Sequence, residues 1–308
     1  MELIVIAIAT YKRPIMLTSA LKSLLEVKTP TGFIAEVMIC DNDPEKSAYA
    51  VYESAKKTCT IPLKYFSEGE RGIVPARNRL LEEVQHAEAS YVAFFDDDET
   101  VHSDWLVELV NAAKKFDAEA VWGRTIYTLP DNHPDWLGFR NFFGGDQPKT
   151  GTLRRGASTN NVLVDVRFLR EHQLRFDSRF NDIGGSDSFL FREVRDNGGK
   201  VIASQEAITY EEVPASRATE EWILRRAYKN GHTEYRRVLI RKGKIFALGL
   251  VILYGSVLLF SFIGALFAYP MRTYDFKVFN RRRKSKIKGL IDALMGKSHE
   301  EYSVVHGK

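Results

Sequence analysis

The first 125 residues alternate short apolar runs with segments that have helical spacing of apolar residues. The runs of strand length are Leu3–Ala9, Ala35–Cys40, Leu63–Phe66, Tyr91–Phe95 and Ala120–Trp122. The intervening helical segments are Pro14–Leu25, Ser47–Lys57, Pro75–Ala87 and Trp105–Phe116. Buried strands that are separated by helices form a mostly parallel sheet with helices on its faces. We therefore predict an α/β fold with a mostly parallel, Rossmann-like sheet.

Polar residues follow three of the predicted strands, at the points where each strand ends. Thr10–Arg13 follows the first strand, Asp41–Asp43 the second and Asp96–Glu99 the fourth. Ligands of such sheets bind at the carboxyl ends of the strands. We expect these three segments to meet at one ligand site.

Three adjacent carboxylates, Asp96, Asp97 and Asp98, come directly after the apolar strand Tyr91–Phe95. Adjacent carboxylates repel each other, so this grouping costs stability unless a cation compensates. Hard oxygen ligands at a strand end suit Mg²⁺ or Mn²⁺ that bridges phosphate oxygens. The alternative is a solvated acidic turn that opens the next helix.

A further carboxylate, Asp187, follows the pair Gly184-Gly185 and Ser186. Two glycines allow a backbone to approach a ligand closely. Ser186 or Asp187 is predicted to cap the helix that runs to Asn197. Asp187 is either only that cap or a general base that takes a proton from an incoming hydroxyl.

Two segments with basic residues indicate a ligand site less strongly than the acidic motifs do. Arg77 lies in the first turn of a predicted helix after the glycine turn Gly69–Gly72, a position that suits an anionic or nucleotide ligand. The alternative is a surface arginine. Tyr210–Arg217, followed by Arg225-Arg226, is either part of the site or the start of an amphipathic helix.

Several enzyme classes are disfavoured because their motifs are missing from the sequence. There is no G-x-x-x-x-G-K-[ST], G-x-S-x-G, H-E-x-x-H or G-x-G-x-x-G pattern. The two cysteines, Cys40 and Cys59, form no C-x-x-C pair, which argues against zinc and thiol redox chemistry. No nucleic-acid partner is predicted.

No charged residue lies from Ile245 to Met271, a run of 27 residues. A helix of this length reaches about 40 Å, more than a hydrocarbon core of about 30 Å, so we predict a membrane segment. Lys and Arg are frequent on both sides, at 236–244 and 272–288. Since basic flanks are cytoplasmic, a hairpin-like pair of helices broken near Gly255-Ser256 is favoured over a single crossing.

The predicted organisation is a catalytic domain at 1–231 and a basic, apolar membrane-attachment region at 232–308. Within the first we predict two halves, 1–125 and 126–231, and the family resemblance described below implies that the former binds the nucleotide and the latter the acceptor. The apolar stretch Met1–Thr10 is too short for a signal peptide. We therefore expect the catalytic part at the cytoplasmic face of a membrane, by inference the bacterial inner membrane.

Five motifs in order resemble those of family 2 glycosyltransferases. They are AIATYKRP at Ala7–Pro14, CDND at Cys40–Asp43, GIVPARNRL at Gly72–Leu80, FFDDDE at Phe94–Glu99 and GGSDSFLFR at Gly184–Arg192. The resemblance covers about residues 1–231, and the tail resembles bacterial exopolysaccharide members such as succinoglycan-type transferases. The resemblance implies a GT-A fold. It also implies transfer, with inversion, of a sugar from a nucleotide diphosphate sugar to a hydroxyl of a saccharide acceptor. That acceptor would be lipid-linked, and the reaction would belong to cell-surface polysaccharide synthesis.

The resemblance also implies roles for single residues. Thr10, Tyr11 and Arg13 would border the nucleotide base, Asp41 would hydrogen-bond it, and Arg77 would lie by the base or the diphosphate. Asp96 would contact the ribose or donor sugar and would share the metal with Asp98. Asp97 would be able to exchange roles with either neighbour. Asp187 would be the catalytic base that takes the proton of the acceptor hydroxyl. Two departures concern the acceptor side. Ser186 stands where many members have Glu, and Glu211 and Glu212 stand near the usual position of a histidine.

Three alternatives remain open at this stage. A polyprenyl-phosphate glycosyl synthase would use the same donor chemistry with a different acceptor. Asp96-x-Asp98-x-Thr100 also fits a haloacid-dehalogenase-like phosphatase, although that motif is expected on a first strand. The third alternative is a sugar- or nucleotide-binding membrane scaffold without catalysis.

Overall fold

The computed structural model describes residues 1–138, 142–143, 148–267 and 274–297. Their strands are β1 Glu2–Thr10, β2 Phe33–Asp41, β3 Leu63–Ser67, β4 Tyr91–Phe95, β5 Glu99–Val101, β6 Ala120–Thr128, β7 Asn161–Asp165 and β8 Val201–Glu212. Their helices are α1 Pro14–Ser23, α2 Tyr49–Ala55, α3 Ile73–His86, α4 Trp105–Phe116, α5 Asp135–Gly138, α6 Val166–Glu171, α7 Ser186–Asp196, α8 Glu220–Lys242, α9 Lys244–Phe267 and α10 Tyr274–Leu294. Short 3₁₀ turns lie at Leu24–Glu26 and Ser178–Phe180.

All eight strands belong to one sheet, in the order β3-β2-β1-β4-β7-β6-β8-β5. Strands β1 to β4 are parallel to one another, and β6 is parallel to β8. Strand β7 is antiparallel to both β4 and β6, and β5 is antiparallel to β8. The sheet is therefore mixed: six strands share one direction, and the two short strands β5 and β7 oppose them. The predicted mostly parallel sheet is confirmed for β1 to β4, and the antiparallel strands β5 and β7 make the complete sheet mixed.

Both faces of the sheet are covered, as the apolar strands predict. On β1, Ile4, Ile6 and Ile8 pack on one face, in a cluster that includes α1 and α4 residues, and Val5 and Ala7 pack on the other with α3 and α7 residues. All five side chains have no solvent exposure. The alternation of side chains along a strand thus supplies two apolar layers from one sequence run.

Strand β4 and helix α4 have the bounds that the sequence predicts. Pro14 begins α1, also as predicted. The predicted end of β6 at Trp122 is wrong, because the strand continues to Thr128 and so crosses from the first predicted half into the second. Part of the predicted irregular insertion, at 139–141 and 144–147, lies outside the described residues. The predicted cap by Ser186 or Asp187 is also wrong: Gly185, at φ +93°, occupies the cap position of α7.

A register shift in β6 turns three of its side chains toward the same cavity. The shift falls between Trp122 and Arg124, at Gly123. As a result Trp122, Thr125 and Tyr127 line one cavity although their spacing is uneven. A Cβ at Gly123 would lie 2.3 Å from the Asn161 side chain and 2.5 Å from the Ala207 carbonyl oxygen. Only glycine fits between these groups.

We expect Gly123→Ala to destabilise the fold, because backbone and a buried amide would have to move. Overpacking of this kind typically costs about 1–3 kcal/mol of the free energy of unfolding. Denaturant unfolding of both proteins measures the change. Gly69→Ala is the matched control, because a Cβ there meets nothing within 4 Å. Equal stabilities of the two variants would contradict this account of the bulge.

The carboxyl-terminal helices pack on one another. Helices α8 and α10 approach closely at Gly231 and Gly289, where an added Cβ would lie 1.9 Å from a carbonyl oxygen of the other helix. The predicted break near Gly255-Ser256 is wrong, since α9 continues through it. The last part of the predicted membrane run, 268–271, lies outside the described residues. Among the residues that the structure describes, no helix is both long enough and apolar enough to cross a membrane.

Candidate active site

Two adjoining cavities lie where the strands β1, β2, β4 and β6 end. The larger has a volume of about 460 Å³, and its lining includes all three triplet carboxylates and Asp187. The smaller is lined by Thr10, Tyr11, Asn42 and the loop at 71–73, among others. Ala9, Arg13, Ile73 and Asp97 line both cavities. The predicted meeting of the segments at the carboxyl edge of the sheet is therefore what the structure shows.

Asp97 joins the triplet to the end of β1. Its Oδ2 accepts a hydrogen bond from the Thr10 hydroxyl at 2.7 Å, and its Oδ1 accepts one from the Arg13 guanidinium at 2.9 Å. The residue is only 4% exposed. Burial raises the pKa of Asp97 to about 6, against the opposing effect of Arg13. Asp97 therefore positions Arg13 and Thr10 at the junction of the two cavities.

Asp98 lies between two guanidinium groups. Its Oδ2 accepts hydrogen bonds from Arg13 at 3.2 Å and from Arg217 at 3.4 Å. Arg217 also donates to Glu211 Oε1 at 2.9 Å. Burial, and next the charge of Asp98, raise the pKa of Glu211 to about 7, while Arg217 opposes the shift. A chain of alternating charges thus connects the triplet with the end of β8.

Asp96 is the most exposed side chain of the triplet, at 41%. Its Oδ1 accepts a hydrogen bond from Arg77 at 3.2 Å. Arg77 lies on α3 with its guanidinium over the Phe176 ring, 5.8 Å from the centroid. The predicted site residues Arg77 and Asp96 are therefore paired in the larger cavity.

Asp187 lies in the first turn of α7, after the left-handed glycines Gly184 and Gly185. Its Oδ1 accepts a hydrogen bond from the Ser188 backbone N–H at 2.6 Å. A Cβ on Gly185 would lie 2.4 Å from the Thr233 methyl group of α8, and the Thr233 hydroxyl donates to the Ile183 carbonyl at 2.9 Å. Helix α8 thus fixes the glycine turn, and the turn places Asp187 at the cavity that the triplet also lines.

Asp41 is the predicted site residue that the structure does not bring to the lining of either cavity. Its side chain is fully buried, and its oxygens accept hydrogen bonds from the Asp43 and Ala48 N–H groups and from the Tyr65 hydroxyl. The next residue, Asn42, lines the smaller cavity instead. The Asn42 amide joins β2 to the loop before α3, since it donates to the Glu70 carbonyl at 2.6 Å and accepts from the Gly72 N–H at 2.7 Å.

The donor set at the triplet fits a divalent cation of the Mg²⁺ type. Within the described part of the chain, no group of three or more His, Cys, Asp or Glu residues is arranged as a metal site. Mg²⁺ sites of phosphate-transfer enzymes use one or two carboxylates, and substrate phosphates and water complete the coordination. Asp96 and Asp98 supply such hard oxygen atoms at the cavity wall.

Sequence reasoning missed several lining residues. The turn Ser158–Asn160 precedes β7, and Lys229 lies on α8 beside Asp187. The pKa of Lys229 is lowered to about 8, chiefly by burial and next by Arg226, whereas Asp187 opposes this shift. The only sequence signal for the turn is its run of small hydroxyl and amide residues. Lys229 lies in a helix whose basic residues look solvent-facing in sequence.

A family model described as glycosyl transferase family 2 matches residues 5–172, more than half of the chain. The chain belongs to glycosyl transferase family 2. It is an enzyme of the glycosyltransferase type with a mixed α/β fold of the GT-A kind, and the phosphatase alternative is thereby set aside. The curated succinoglycan biosynthesis protein ExoM of Rhizobium meliloti strain 1021 is 32% identical over 238 residues, which cover 75% of this glycosyltransferase and 74% of ExoM.

Solved structures share this fold. The mannosyltransferase PcManGT from Pyrobaculum calidifontis, in complex with GDP-Man and Mn²⁺, matches with a TM-score of 0.67 and 17% identity over 96% of this chain and 88% of that one. TarS of S. aureus matches with a TM-score of 0.52 and 16% identity over 78% of this chain. The glycosyltransferase spans less than half of the TarS chain, 44%. At these identities the likeness establishes the fold alone.

Proposed function

We propose that this glycosyltransferase moves a sugar from a nucleoside diphosphate donor to a hydroxyl group of a saccharide acceptor, with inversion at the anomeric carbon, in polysaccharide synthesis. One observation carries the proposal: the Asp96–Asp98 triplet and Asp187 line the same cavity. A donor bound in this cavity would have the acidic triplet near its diphosphate and the Asp187 carboxylate near its sugar. ExoM, by its name a succinoglycan biosynthesis protein, supports the polysaccharide context.

In the proposed reaction Asp187 accepts the proton of the acceptor hydroxyl. The acceptor oxygen forms a bond to the anomeric carbon, and the bond from that carbon to the diphosphate oxygen breaks with its electron pair. The nucleoside diphosphate leaves on the side of the triplet, where Arg13 and Arg77 face the cavity. Attack opposite to the leaving group inverts the configuration at carbon.

A divalent cation, Mg²⁺ or Mn²⁺, belongs to the proposal. Asp98 and Asp96 would hold it, and it would neutralise the charge that develops on the leaving diphosphate. PcManGT, solved with GDP-Man and Mn²⁺, supports this choice. The smaller cavity would hold the nucleotide base, bordered by Thr10, Tyr11 and Arg13.

We also propose a membrane-bound, lipid-linked acceptor and attachment at the cytoplasmic face of a membrane through 245–271 and its basic flanks. Apolar side chains on the first part of α9 face outward, with exposed fractions of 85% for Ile245, 63% for Ile252 and 59% for Leu253. Basic residues at 236–244 and 277–288 flank them. Apolar area together with basic charge suits an anionic lipid surface.

We expect the purified protein to float with vesicles that contain phosphatidylglycerol, and to float less with phosphatidylcholine alone. Ile252→Glu with Leu253→Glu should lower the bound fraction several-fold, because two charges replace exposed apolar side chains. Equal flotation of the double variant and the wild type would contradict attachment through α9. Thermal unfolding of both proteins is the control that tests whether the variant remains folded.

A screen of nucleotide sugars tests the donor assignment. Thermal stabilisation by UDP-glucose, UDP-N-acetylglucosamine, UDP-galactose and GDP-mannose is measured with and without Mn²⁺, followed by donor hydrolysis or transfer to a lipid-linked saccharide. We expect one donor to raise the unfolding temperature of the protein and to be consumed. Both effects should require Mn²⁺. Transfer to polyprenyl phosphate itself would instead identify a synthase of the lipid-linked sugar. Consumption of no donor, with full folding, would contradict the proposed function.

A further inference from the structure

The turn at 158–160 lies beside the acidic triplet because of the direction of β7. Strand β7 runs antiparallel to β4, and its first residue, Asn161, pairs with Phe95, the residue before Asp96. The start of β7 therefore meets the end of β4 at the carboxyl edge of the sheet. Ser158, Thr159 and Asn160 all line the larger cavity.

Hydrogen bonds hold this turn in one orientation. The Asn160 amide donates to Thr125 Oγ1 and to Glu99 Oε1, both at 2.8 Å. Thr125 in turn shares a hydrogen bond of 2.9 Å with Thr209, and the Ser158 hydroxyl donates to Asn160 Oδ1. Ser158, Asn160 and Thr125 thus present fixed neutral donors and acceptors at the cavity, anchored on β5, β6 and β8.

The adjacent Asn161 does not line the cavity. It fixes the start of β7, which carries the turn. Its amide accepts from the Trp105 indole N–H at 2.8 Å and donates to the Ala207 carbonyl at 3.0 Å. The side chain is fully buried. Asn161 fixes the start of β7 to α4 and β8, so the preceding turn is held at a constant distance from the triplet.

Thr159 is the one lining residue of this turn whose polar group is left without a protein partner. Its side chain is 1% exposed, and its Oγ1 has no hydrogen-bond partner among the described residues. A buried hydroxyl without a partner is destabilising, because its loss of hydration is not compensated by a hydrogen bond. Because the residue also lines the cavity, a ligand hydroxyl is a suitable partner for it.

We propose that Ser158, Thr159, Asn160 and Thr125 recognise the hydroxyl groups of the transferred sugar. The four side chains carry no charge, whereas the cations that suit phosphate, Arg13 and Arg77, lie on other elements of the cavity. Their place next to Asp96 puts them beside the donor side of the site. The inference rests on the proposed function, since it names the part of the donor that this turn contacts.

Thr159→Val tests the proposal, because valine keeps the shape of threonine and removes the hydroxyl. We measure by calorimetry, with Mn²⁺, the affinity for UDP-glucose against that for UDP, and for GDP-mannose against that for GDP. For the pair that the wild type uses, we expect the affinity for the nucleotide sugar relative to its nucleoside diphosphate to fall about three- to ten-fold, the effect of one lost hydrogen bond. Folding stability should be unchanged or higher, because an unsatisfied hydroxyl is removed.

Ser158→Ala gives a second, independent measurement at the same turn, and we expect the same change in the ratio of affinities. Thr18→Val is the matched control, since the Thr18 hydroxyl donates only to the Pro14 carbonyl within α1, away from the cavity. We expect this control to leave the ratio at its wild-type value.

Three results would overturn the proposal. Equal weakening of nucleotide sugar and nucleoside diphosphate would show that the turn does not contact the sugar. An unchanged ratio with a raised KM for the acceptor would assign the turn to the acceptor. A wild type that folds but binds and consumes no nucleotide sugar would overturn the proposed function itself, and this inference with it.

Discussion

Asp187→Asn should lose most turnover while it retains donor binding. Asparagine has the size of aspartate, and its Oδ1 can still accept the Ser188 N–H that now bonds Asp187 at 2.6 Å. The amide, however, cannot take a proton from the acceptor hydroxyl. General-base catalysis contributes about 10²–10⁴-fold to a rate, so we expect kcat to fall by that factor. Initial rates with saturating donor and acceptor measure kcat, and calorimetry measures the donor affinity.

Asp182→Asn is the matched control for this prediction. Asp182 belongs to the same loop, five residues earlier, and is exposed. The substitution makes the same change in charge without reaching the cavity lining. We expect near-normal kcat for the control. Near-normal transfer by Asp187→Asn would remove the base assignment, and loss of activity in both variants would indicate a general effect of charge in this loop.

The first half of the fold could be predicted from sequence because its signals are local. Tyr91–Phe95 is an apolar run of strand length, and the carboxylates that follow it have to emerge at the end of that strand. The buried faces of β1 follow from the same kind of pattern. Parallel strands gather their ends at one edge, so the proximity of Thr10 and Asp97 follows from topology alone.

The second half could not be predicted in this way, since long-range pairing decides it. The sequence of β7 does not indicate that it inserts antiparallel between β4 and β6. The shift at Gly123 depends on the packing of Asn161, 38 residues later, and periodicity within β6 does not reveal it. The turn at 158–160 reaches the site only through these two features.

The adjacent pair Asp41 and Asn42 shows a limit of motif-based assignment. Both follow the same predicted strand, and the family resemblance implies that Asp41 binds the base. In the structure Asp41 Oδ2 accepts hydrogen bonds from Ala48 N–H and Tyr65, while Asn42 lines the smaller cavity. Neighbouring residues at a strand end point to different sides, and the sequence does not show which side faces the ligand. Base binding by Asp41 stays a prediction.

Arg217 is a partner of the triplet that only the fold reveals. It lies 119 residues after Asp98 and bonds both Asp98 and Glu211. In sequence it is a single basic residue in the connection between β8 and α8, and that context is also typical of a solvated segment. The contact exists because β8 ends at the same edge of the sheet as β4.

Asp98→Ala should abolish the dependence of donor binding on metal. In the proposed site Asp98 would supply a carboxylate oxygen to a divalent cation that would offset the charge of the donor diphosphate, and alanine offers no ligand. Metal assistance to a leaving phosphate is worth several kcal/mol, so we also expect turnover to fall by roughly 10²–10³-fold. Calorimetric titration of the donor with and without Mn²⁺ measures the effect: the wild type should bind more tightly with Mn²⁺, and the variant should not.

The control for Asp98→Ala has to remove an ion-paired carboxylate that lies elsewhere. Asp104→Ala does so, because Asp104 pairs with Lys28 at 2.8 Å on the surface. We expect it to retain metal-dependent donor binding. Loss of Asp98 also leaves Arg13 and Arg217 without one shared partner, although Asp97 and Glu211 still bind them. Asp98→Asn, which keeps the size of the side chain, therefore separates loss of the metal ligand from collapse of the arginine pair. If Asp98→Ala and Asp98→Asn both still bind donor more tightly with Mn²⁺, Asp98 is not a metal ligand, and the cation, if one acts, is held by other groups.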